Sequence, residues 1–485
     1  MIDLTINYEA LKRTIDHARE RNIVIPTFKQ MRDPNSLPPQ IMDKLSTVGL
    51  WDIDPVNLFR ITWHNEPKEH GGLFGGVNYI EFPQELTGVK ARIGALVGKW
   101  FPTGCHKVGA AFGCLVPRLV TGQFDSTYHK AVWPSTGNYC RGGAYNSALL
   151  GCESIAILPE GMSRERFEWL RTISGEIIAT PGSESNVKEI FDAVKHLRET
   201  RDNAAIFNHF EELGNCLWHY HVTGPAMEEV FKSMGGNFAG ICLTSGSAGT
   251  LSSGDYIKDH FPHVKIAATE ALQCPTLLDN GFGEHRIEGI GDKHIPWVHN
   301  VKNTDLAVAI DDENSHNLLR LFNEPAGKEY LTKELKLSPD YVDSLSLLGI
   351  SGIANLLSSI KFAKYYELTE KDVILTVLTD PAEMYGSRLE EMNKEKGAYT
   401  YHRAMADHER FMLGISTDYM QELTYPIKKR VHNLKYFTWV EQQGRSEEEL
   451  NAQWYDYDNY WRKMHKQVDE VDALIEEFNK KTGLV

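Results

Sequence analysis

The segment FPTGCHKVGAAFG, residues 101–113, holds a single lysine, Lys107, between a Cys-His pair and a run of small residues. Gly104 before the lysine and the glycines and alanines after it predict a turn that leads into a tightly packed helix. Burial in such a helix lowers the pKa of an amine and makes it a usable nucleophile for a carbonyl carbon. The alternative interpretation of a lone lysine is an ordinary solvated charge.

The composition is typical of a globular chain with more than one lobe. Its 485 residues exceed what one hydrophobic core usually holds, which predicts two or three lobes. The formal net charge of −15 argues against nucleic acid and membrane surfaces as partners, because both attract basic proteins. The first residues lack the pattern of a signal peptide, and no window approaches the roughly 18 apolar residues of a membrane span. We therefore expect a cytoplasmic protein.

The cysteines and histidines give no indication of a metal site. The seven cysteines form no CxxC pair, which favours reduced thiols over disulfides or zinc ligands. His219 and His221 would share one face only in an extended strand, and the sequence offers no evident third ligand beside them. We predict no metal.

Short apolar runs alternate with helical patterns through the middle of the chain, and this alternation predicts an α/β fold. Such runs are typical of buried parallel strands, and each ends in turn or cap residues, where open α/β sheets bind ligands. The runs are SIAILPEG (154–161), EIIATPG (176–182), FAGICLTSG (238–246), VKIAATE (264–270) and DVILTVLTD (372–380).

The chain changes character from about Ser387 onward, where glycine becomes scarce and aromatic and charged residues become dense. In residues 464–480 the apolar side chains recur at helical spacing on one face. We predict a helical C-terminal extension that packs on the core or on a second subunit.

Two polar turns are candidates for ligand binding. LTSGSAGTLSSG, residues 243–254, follows a strand and has small residues at nearly every position, so its backbone N–H groups could approach a phosphate. WPSTGNYCRGGAYNSALLG, residues 133–151, carries Ser135, Thr136 and Asn138, which could hold a carboxylate or a ring oxygen. Taken alone, each turn is better explained as a tight structural turn or a helix cap than as a binding site.

Together these segments resemble the fold-type II pyridoxal-phosphate-dependent enzymes (the tryptophan synthase beta superfamily), in particular the cysteine synthase and cystathionine β-synthase branch. The similarity covers roughly residues 54–390, in order, through seven or eight blocks. The blocks are PTGCHKVGAA, STGNYCRGGA, LPEGMSRERFEWLRTISGEIIATPG, HFEELGNCLWHYHVTGPAMEE, GSAGT, HRIEGIGDKHIPWV, GISGIAN and LTDPAEMY.

The resemblance implies two three-layer αβα lobes with mostly parallel twisted sheets and a helical C-terminal extension. Residues 1–53 would form an N-terminal extension and residues 54–390 the two-lobed catalytic core. Within the core, the smaller lobe would span about 100–235 and the larger lobe about 54–99 and 236–390, followed by the extension at 391–485. The family is commonly dimeric, so we expect a homodimer.

The resemblance also implies a cofactor, pyridoxal 5′-phosphate, and a role for each matched residue. Lys107 would form the Schiff base and act as the catalytic base, Asn138 would contact the ring hydroxyl, and Ser351 would lie opposite the pyridine nitrogen. The residues expected to hold the phosphate are Gly246, Ser247, Ala248, Gly249 and Thr250. The residues expected on the substrate side are Ser135, Thr136, Gly137, Tyr139 and His209.

The expected reaction is β-elimination or β-replacement on a small β-substituted amino acid through an aminoacrylate. Tyr139, Cys140 and His209 depart from the family pattern, and so do Cys105 and His106, which predicts an altered substrate specificity. One hypothesis gives His209 or His106 the part of a titratable donor, and the alternative gives both a structural role. An ammonia-lyase or dehydratase of the threonine-deaminase kind and a noncatalytic interaction subunit remain open as alternatives.

Overall fold

The β-strands form two separate sheets in the computed structural model, which describes residues 1–66 and 73–485. The larger sheet has seven strands in the order β1-β2-β10-β7-β8-β9-β11, and the smaller has four in the order β5-β4-β3-β6. The strands are β1 (Tyr79–Phe82), β2 (Arg92–Val97), β3 (Lys130–Pro134), β4 (Ser154–Pro159), β5 (Glu176–Thr180), β6 (Ala204–Ile206), β7 (Asn237–Thr244), β8 (Lys265–Ala271), β9 (Leu306–Ile310), β10 (Asp372–Leu378) and β11 (Met420–Glu422).

Both sheets are mainly parallel, which confirms the α/β fold class predicted from the sequence. Every pair in the small sheet is parallel, and the antiparallel pairs of the large sheet are those of its edge strands, β1 with β2 and β11 with β9. The parallel strands are nearly continuous apolar runs because helices cover both of their faces.

The helices surround both sheets and also make up most of the two ends of the chain. The helices of the first half are α1 (Tyr8–Glu20), α2 (Phe28–Arg32), α3 (Pro39–Leu45), α4 (Gln84–Thr87), α5 (Lys107–Val120), α6 (Asn138–Leu149), α7 (Arg164–Arg171), α8 (Val187–Thr200), α9 (Leu213–Trp218) and α10 (Gly224–Met234). Those of the second half are α11 (Ser252–His260), α12 (Thr276–Asp279), α13 (Asp312–Asn323), α14 (Pro325–Lys333), α15 (Pro339–Ser344), α16 (Ile350–Tyr365), α17 (Gly386–Lys396), α18 (Tyr401–His408), α19 (Tyr425–Asn433), α20 (Glu447–Tyr455), α21 (Lys463–Lys466) and α22 (Val468–Thr482).

Alternate side chains of the central strands enter different cores, so each sheet lies between two layers of helices. In β10, Val373 and Leu375 belong to the core that also contains α10, whereas Ile374 belongs to the core built on α16. In β4, Ile157 packs with α8 and Ala156 packs with α6 and α7. Both sheets therefore have the three-layer arrangement that the resemblance implied.

The C-terminal region is helical, as predicted, but it also contributes a strand that the sequence analysis did not anticipate. Strand β11 extends the large sheet by pairing with β9. The two ends of the chain also meet, because the Ile25 N–H donates to Asn479 Oδ1 and Asn479 Nδ2 donates to the Ile25 carbonyl. The domain boundaries proposed from the sequence stay a prediction.

The length and hydropathy of the described helices decide whether any of them could span a membrane. Within residues 1–66 and 73–485, no single helix is long and apolar enough to cross a bilayer. One bent pair, Pro339–Leu347 with Ile350–Tyr365, meets the length and composition requirement only when its two halves, which meet at 109°, are taken together.

Candidate active site

Helix α5 carries Lys107 as its first residue and packs closely against α9. A Cβ added at Gly109 would lie 2.1 Å from the Trp218 ring, and one added at Gly113 would lie 2.3 Å from the Gly214 carbonyl oxygen. The glycines that follow the lysine are therefore required for this close approach. The turn and the tightly packed helix predicted from residues 101–113 are present.

Lys107 is buried, and its Nζ donates to Ser247 Oγ over 3.4 Å. Burial lowers the pKa of the amine, against the opposing influence of Cys105, Asp292 and Glu184. A larger fraction of the amine is thus uncharged near neutral pH than in a solvated lysine. An uncharged amine is what attack on a carbonyl carbon requires.

The small-residue loop predicted to bind phosphate joins the end of β7 to the start of α11. Its members are Gly246, Ser247, Ala248, Gly249 and Thr250. Ala248 has a positive φ of 63°, which turns the backbone within the loop. The loop contains no lysine or arginine, so its backbone N–H groups, its hydroxyls and the positive end of α11 are the groups that can stabilise an anion there.

Two neighbouring segments hold this loop in place. A Cβ at Gly246 would lie 2.6 Å from the Gly289 carbonyl oxygen, so the backbone there passes too closely for any side chain. Asn215 Nδ2 donates both to Ser247 Oγ at 3.1 Å and to the His209 carbonyl at 2.9 Å. Asn215 therefore links the loop to the segment that was predicted to face the substrate.

The second predicted loop, residues 135–139, turns sharply at Gly137 between β3 and α6. Gly137 has φ of 142°, and a Cβ there would lie 2.4 Å from Arg166 Cδ, so glycine is required on both counts. Ser135 and Thr136 are buried, and the Ser135 N–H donates to the Ile157 carbonyl at 2.9 Å. The loop is thereby held against the end of the small sheet.

Asn138 begins α6 and takes part in a buried polar network with the large lobe. Its Nδ2 donates to Asp380 Oδ2 at 2.8 Å, and its Oδ1 accepts from Arg141 Nη1 at 3.4 Å. Asp380 also accepts from the Tyr385 hydroxyl at 2.8 Å. An amide nitrogen carries two hydrogens, so one donor of Asn138 remains for a ring oxygen.

Ser351 lies at the start of α16, near a backbone group that contacts this network. It is buried, and the Gly349 N–H two residues before it donates to the Asp380 carbonyl at 2.8 Å. Arg166 completes the network, because it pairs with Glu288 and with Asp380 and is itself fully buried. The structure therefore brings the beginning of α16 to Asp380, which also binds Asn138.

Tyr139 and His209, the bulkiest of the predicted substrate-side residues, stack on each other. Their ring centroids are 4.0 Å apart with an interplanar angle of 11°, and Trp133 packs edge-on against Tyr139. Burial holds the pKa of His209 well below its usual value, and the Lys107 and His294 charges act in the same direction. His209 is therefore a neutral imidazole at physiological pH.

The Cys-His pair that precedes the lysine is buried and uncharged. Burial raises the pKa of the Cys105 thiol to about 12, so this residue is not a thiolate nucleophile. Burial and the Lys107 charge lower the pKa of His106 to about 3, and its ring stacks on Trp63. Neither histidine offers the ionisable proton near neutral pH that the titratable-donor hypothesis required.

Six polar residues of the site were given no role by the sequence analysis. They are Arg141, Arg166, Glu184, Asn215, Asp292 and Asp380. Most of them lie inside the sequence blocks that carry the resemblance. The signal that could have found them is a charged residue within a segment that is otherwise apolar or small, as with Asp292 in GIGDKHIP.

The polar atoms around Lys107 fit pyridoxal phosphate as a bound group. Within the described part of the chain, Thr103 Oγ1, both ring nitrogens of His209, Asn215 Oδ1 and Asp380 Oδ1 are buried without a hydrogen-bond partner. Buried polar atoms normally have partners, so this cluster indicates a polar ligand between them. Lys107 would meet the aldehyde, the small-residue loop the phosphate and Asn138 the ring.

The His-Tyr-His segment adopts a helical conformation and not a strand. Residues His219–Thr223 form a π-helical turn between α9 and α10, so the geometry required for His219 and His221 to act together is not met. Among the residues that the structure describes, no group of three His, Cys, Asp or Glu side chains is placed to hold a metal ion.

Comparison with known proteins shows which enzymes the chain is similar to. Residues 101–327 match the family model of the pyridoxal-phosphate dependent enzymes. The chain is 29% identical to a cysteine synthase from Staphylococcus aureus over 259 residues, which cover 52% of this chain and 74% of that protein. It is 26% identical to a probable cysteine synthase from Bacillus subtilis over 285 residues, covering 59% and 85% of the two chains.

A solved structure supports the fold. The O-acetylserine dependent cystathionine beta-synthase from Helicobacter pylori superposes with a TM-score of 0.53 at 24% identity, over 64% of this chain and 94% of that one. At this level of identity the likeness concerns the fold alone. Residues 101–327 thus match the pyridoxal-phosphate dependent enzymes, and the relatives to which the chain is similar include cysteine synthases.

Proposed function

We propose that the protein catalyses β-elimination or β-replacement on a small β-substituted amino acid such as cysteine, serine or O-acetylserine. The observation that carries the proposal is the buried Lys107, whose Nζ lies 3.4 Å from Ser247 of the phosphate loop. The similarity to cysteine synthases over 259 residues supports the substrate class.

Each predicted residue has a task that its position supports. The N–H groups and hydroxyls of residues 246–250 would hold the phosphate, and Asn138 would donate to the ring oxygen. Ser351 would offer the pyridine nitrogen a neutral partner, which withdraws less charge than an acid would. Ser135, Thr136 and Gly137 would place backbone and hydroxyl donors around the substrate carboxylate, with Tyr139 and His209 closing that side.

Lys107 would accept the proton from the substrate α-carbon. Bound pyridoxal phosphate supplies the electron sink that makes this proton acidic. The lowered pKa of the amine keeps a usable fraction of it uncharged, and the buried position excludes water from the proton transfer. Removal of the amine should therefore abolish turnover while leaving the loop that binds phosphate in place.

The experiment is incubation of the loaded protein with three substrates in turn. Cysteine, serine, and O-acetylserine with sulfide are distinguished by the release of sulfide, of ammonia with pyruvate, or of cysteine. Lys107→Ala should lose both turnover and the visible absorbance of the bound cofactor. Release of ammonia with pyruvate alone would point to a dehydratase, and a colourless wild-type protein without turnover would contradict the proposal.

We further infer a cytoplasmic homodimer that binds neither nucleic acid nor membranes. The net charge of −15 supports the absence of polyanionic partners. The resemblance to a commonly dimeric family supports the assembly. Light scattering on the purified protein at several concentrations would test it, and a monomer at every concentration would contradict it.

A further inference from the structure

Two carboxyl groups lie beside Lys107 and have no part in the mechanism described above. Glu184 and Asp292 are both buried, with exposed fractions of 1% and 6%. Glu184 Oε2 and Asp292 Oδ2 have no hydrogen-bond partner among the described residues. Both groups influence the lysine amine electrostatically, and each also influences the other. Three ionisable groups are therefore buried close to one another at the candidate site.

The loop that carries Asp292 is hydrogen-bonded to Ser245, directly before the phosphate loop. The Gly291 N–H donates to the Ser245 carbonyl at 2.9 Å, and the Asp292 carbonyl accepts from Thr276 Oγ1 at 2.7 Å. The Gly291 carbonyl contacts His285 Nε2 at 2.7 Å. Asp292 is therefore positioned by two backbone contacts of Gly291 and one of its own.

Burial favours the protonated forms of both carboxyl groups near neutral pH. Burial raises the pKa of Asp292 to about 7, and the Lys107 charge opposes this rise. Burial raises the pKa of Glu184 to about 8, with the Asp292 charge acting in the same direction and Arg166 against it. The Cys274 thiol also faces Asp292 and is uncharged, because burial raises its pKa. At least one of the two carboxyl groups thus keeps a proton at pH 7.

We propose that Asp292, held beside Glu184, is the acid–base residue for the group that leaves the substrate side chain or adds to it. This inference rests on the proposed function. His106 and His209, the sequence-based candidates for a proton donor, are neutral and cannot take this part. The two carboxyl groups, in contrast, have pKa values of about 7 and about 8, so they can both give and accept a proton near neutral pH.

The proposed step needs no reactant beyond the substrate, the bound cofactor and the side chains of Lys107 and Asp292. The α-proton goes to Lys107, and the electron pair of the broken Cα–H bond forms the Cα=Cβ double bond. The bond from Cβ to the leaving group breaks with its electron pair on that group, and the Asp292 carboxyl gives the group a proton. Asp292 is left as a carboxylate and, in replacement, takes a proton from the incoming nucleophile.

The test compares kcat/KM for substrates whose leaving groups differ in their need for a proton. Hydroxide and thiolate need a proton to depart, whereas acetate does not. Asp292→Asn should therefore lower kcat/KM for serine or cysteine by about 100-fold or more, the usual loss with a general acid, and leave O-acetylserine within about 5-fold. Glu184→Gln should have the same selectivity with a smaller loss. An equal loss with all three substrates, or no loss, would overturn the proposal.

The matched control is Glu270→Gln, which removes another buried carboxyl whose pKa burial raises to about 8. Both Glu270 oxygens accept hydrogen bonds, from the Leu277 and Leu278 N–H groups, whereas Glu184 and Asp292 each keep an unpartnered oxygen. This variant should show no selectivity between leaving groups. If it shows the same selectivity as Asp292→Asn, the effect arises from general weakening of the fold and the proposal fails.

A second readout does not depend on turnover. The Asp292 carboxylate stabilises positive charge on the Lys107 nitrogen, so its removal should lower the pH midpoint of the visible absorbance of the loaded protein by about 1 unit. An unchanged midpoint would show that Asp292 does not face the cofactor nitrogen. If no substrate reacts but the midpoint moves, the proposed function fails while the placement of Asp292 stands.

Discussion

Gly249→Ala is the substitution whose effect can be worked out most fully from the structure. An added Cβ would lie 2.1 Å from Asn215 Oδ1, whereas ordinary contact begins at 3.4 Å, so the amide has to retreat by about 1.3 Å. That movement breaks the Asn215 hydrogen bonds to Ser247 and to the His209 carbonyl. Overpacking costs about 1–3 kcal/mol and each lost hydrogen bond about 1 kcal/mol, which predicts a total of about 3–5 kcal/mol.

Urea unfolding of the cofactor-free protein, followed by tryptophan fluorescence, measures this loss. The cofactor is left out because a bound ligand would add its own stabilisation. Asn215→Ala alone should cost about 2 kcal/mol, from the two hydrogen bonds. The variant that combines Gly249→Ala with Asn215→Ala should have the same free energy of unfolding as Asn215→Ala alone, within about 0.5 kcal/mol, because the side chain that clashes is gone.

Gly246→Ala is the matched control in the same loop. Its added Cβ would meet the Gly289 carbonyl oxygen at 2.6 Å, and a backbone atom cannot be removed by changing Asn215. Its penalty should therefore persist in the Asn215→Ala background. If the Gly249→Ala penalty persists there as well, the close approach to Asn215 is not the reason for the glycine and the reasoning is wrong.

Three further experiments test the charges of the site. Arg166→Met should destabilise by about 3–5 kcal/mol in urea unfolding, because it leaves buried carboxylates unpaired, while Arg164→Met on the exposed face of α7 should stay within about 0.5 kcal/mol. An equal loss of stability in the two arginine variants would contradict this explanation. The raised pKa values of Glu184 and Asp292 mean that their contribution to stability is present below about pH 4 and is lost as pH rises through about 7 to 8. Replacing Glu184 by Gln and Asp292 by Asn together should make the urea midpoint fall less steeply between pH 4 and 8.5. An unaltered slope would contradict this contribution of the two carboxyl groups. His209→Gln should leave the pH profile of kcat unchanged, because the imidazole is already neutral, and a shifted midpoint would restore the titratable-donor hypothesis.

The sequence predicted the fold class because its signals are local. A buried parallel strand has to be an apolar run, and a run such as residues 238–246 shows this directly. The small residues after Lys107 likewise predicted a close helix contact, and the structure gives Gly109 and Gly113 that contact. The resemblance, confirmed by comparison, added the cofactor to what these patterns alone indicated.

Other features of the structure cannot be predicted from local sequence patterns. Strand β11 is only Met420–Glu422 and is a strand because β9 offers it an unpaired edge. The stacking of Tyr139 on His209 joins two segments far apart in the chain. Its interplanar angle depends on how α6 packs against the turn that carries His209, and no spacing in the sequence encodes that.

The sequence by itself determined where a lysine, a small-residue loop and an Asn-bearing turn occur, since these depend on residue type and neighbours. Only the tertiary structure decided which charges surround Lys107. Asp292 and Glu184 come from separate segments, and their protonation depends on burial and on one another. The electrostatic energy of a buried charge is set by the groups packed around it, so the lysine was evident from the sequence and its acidic partners were not.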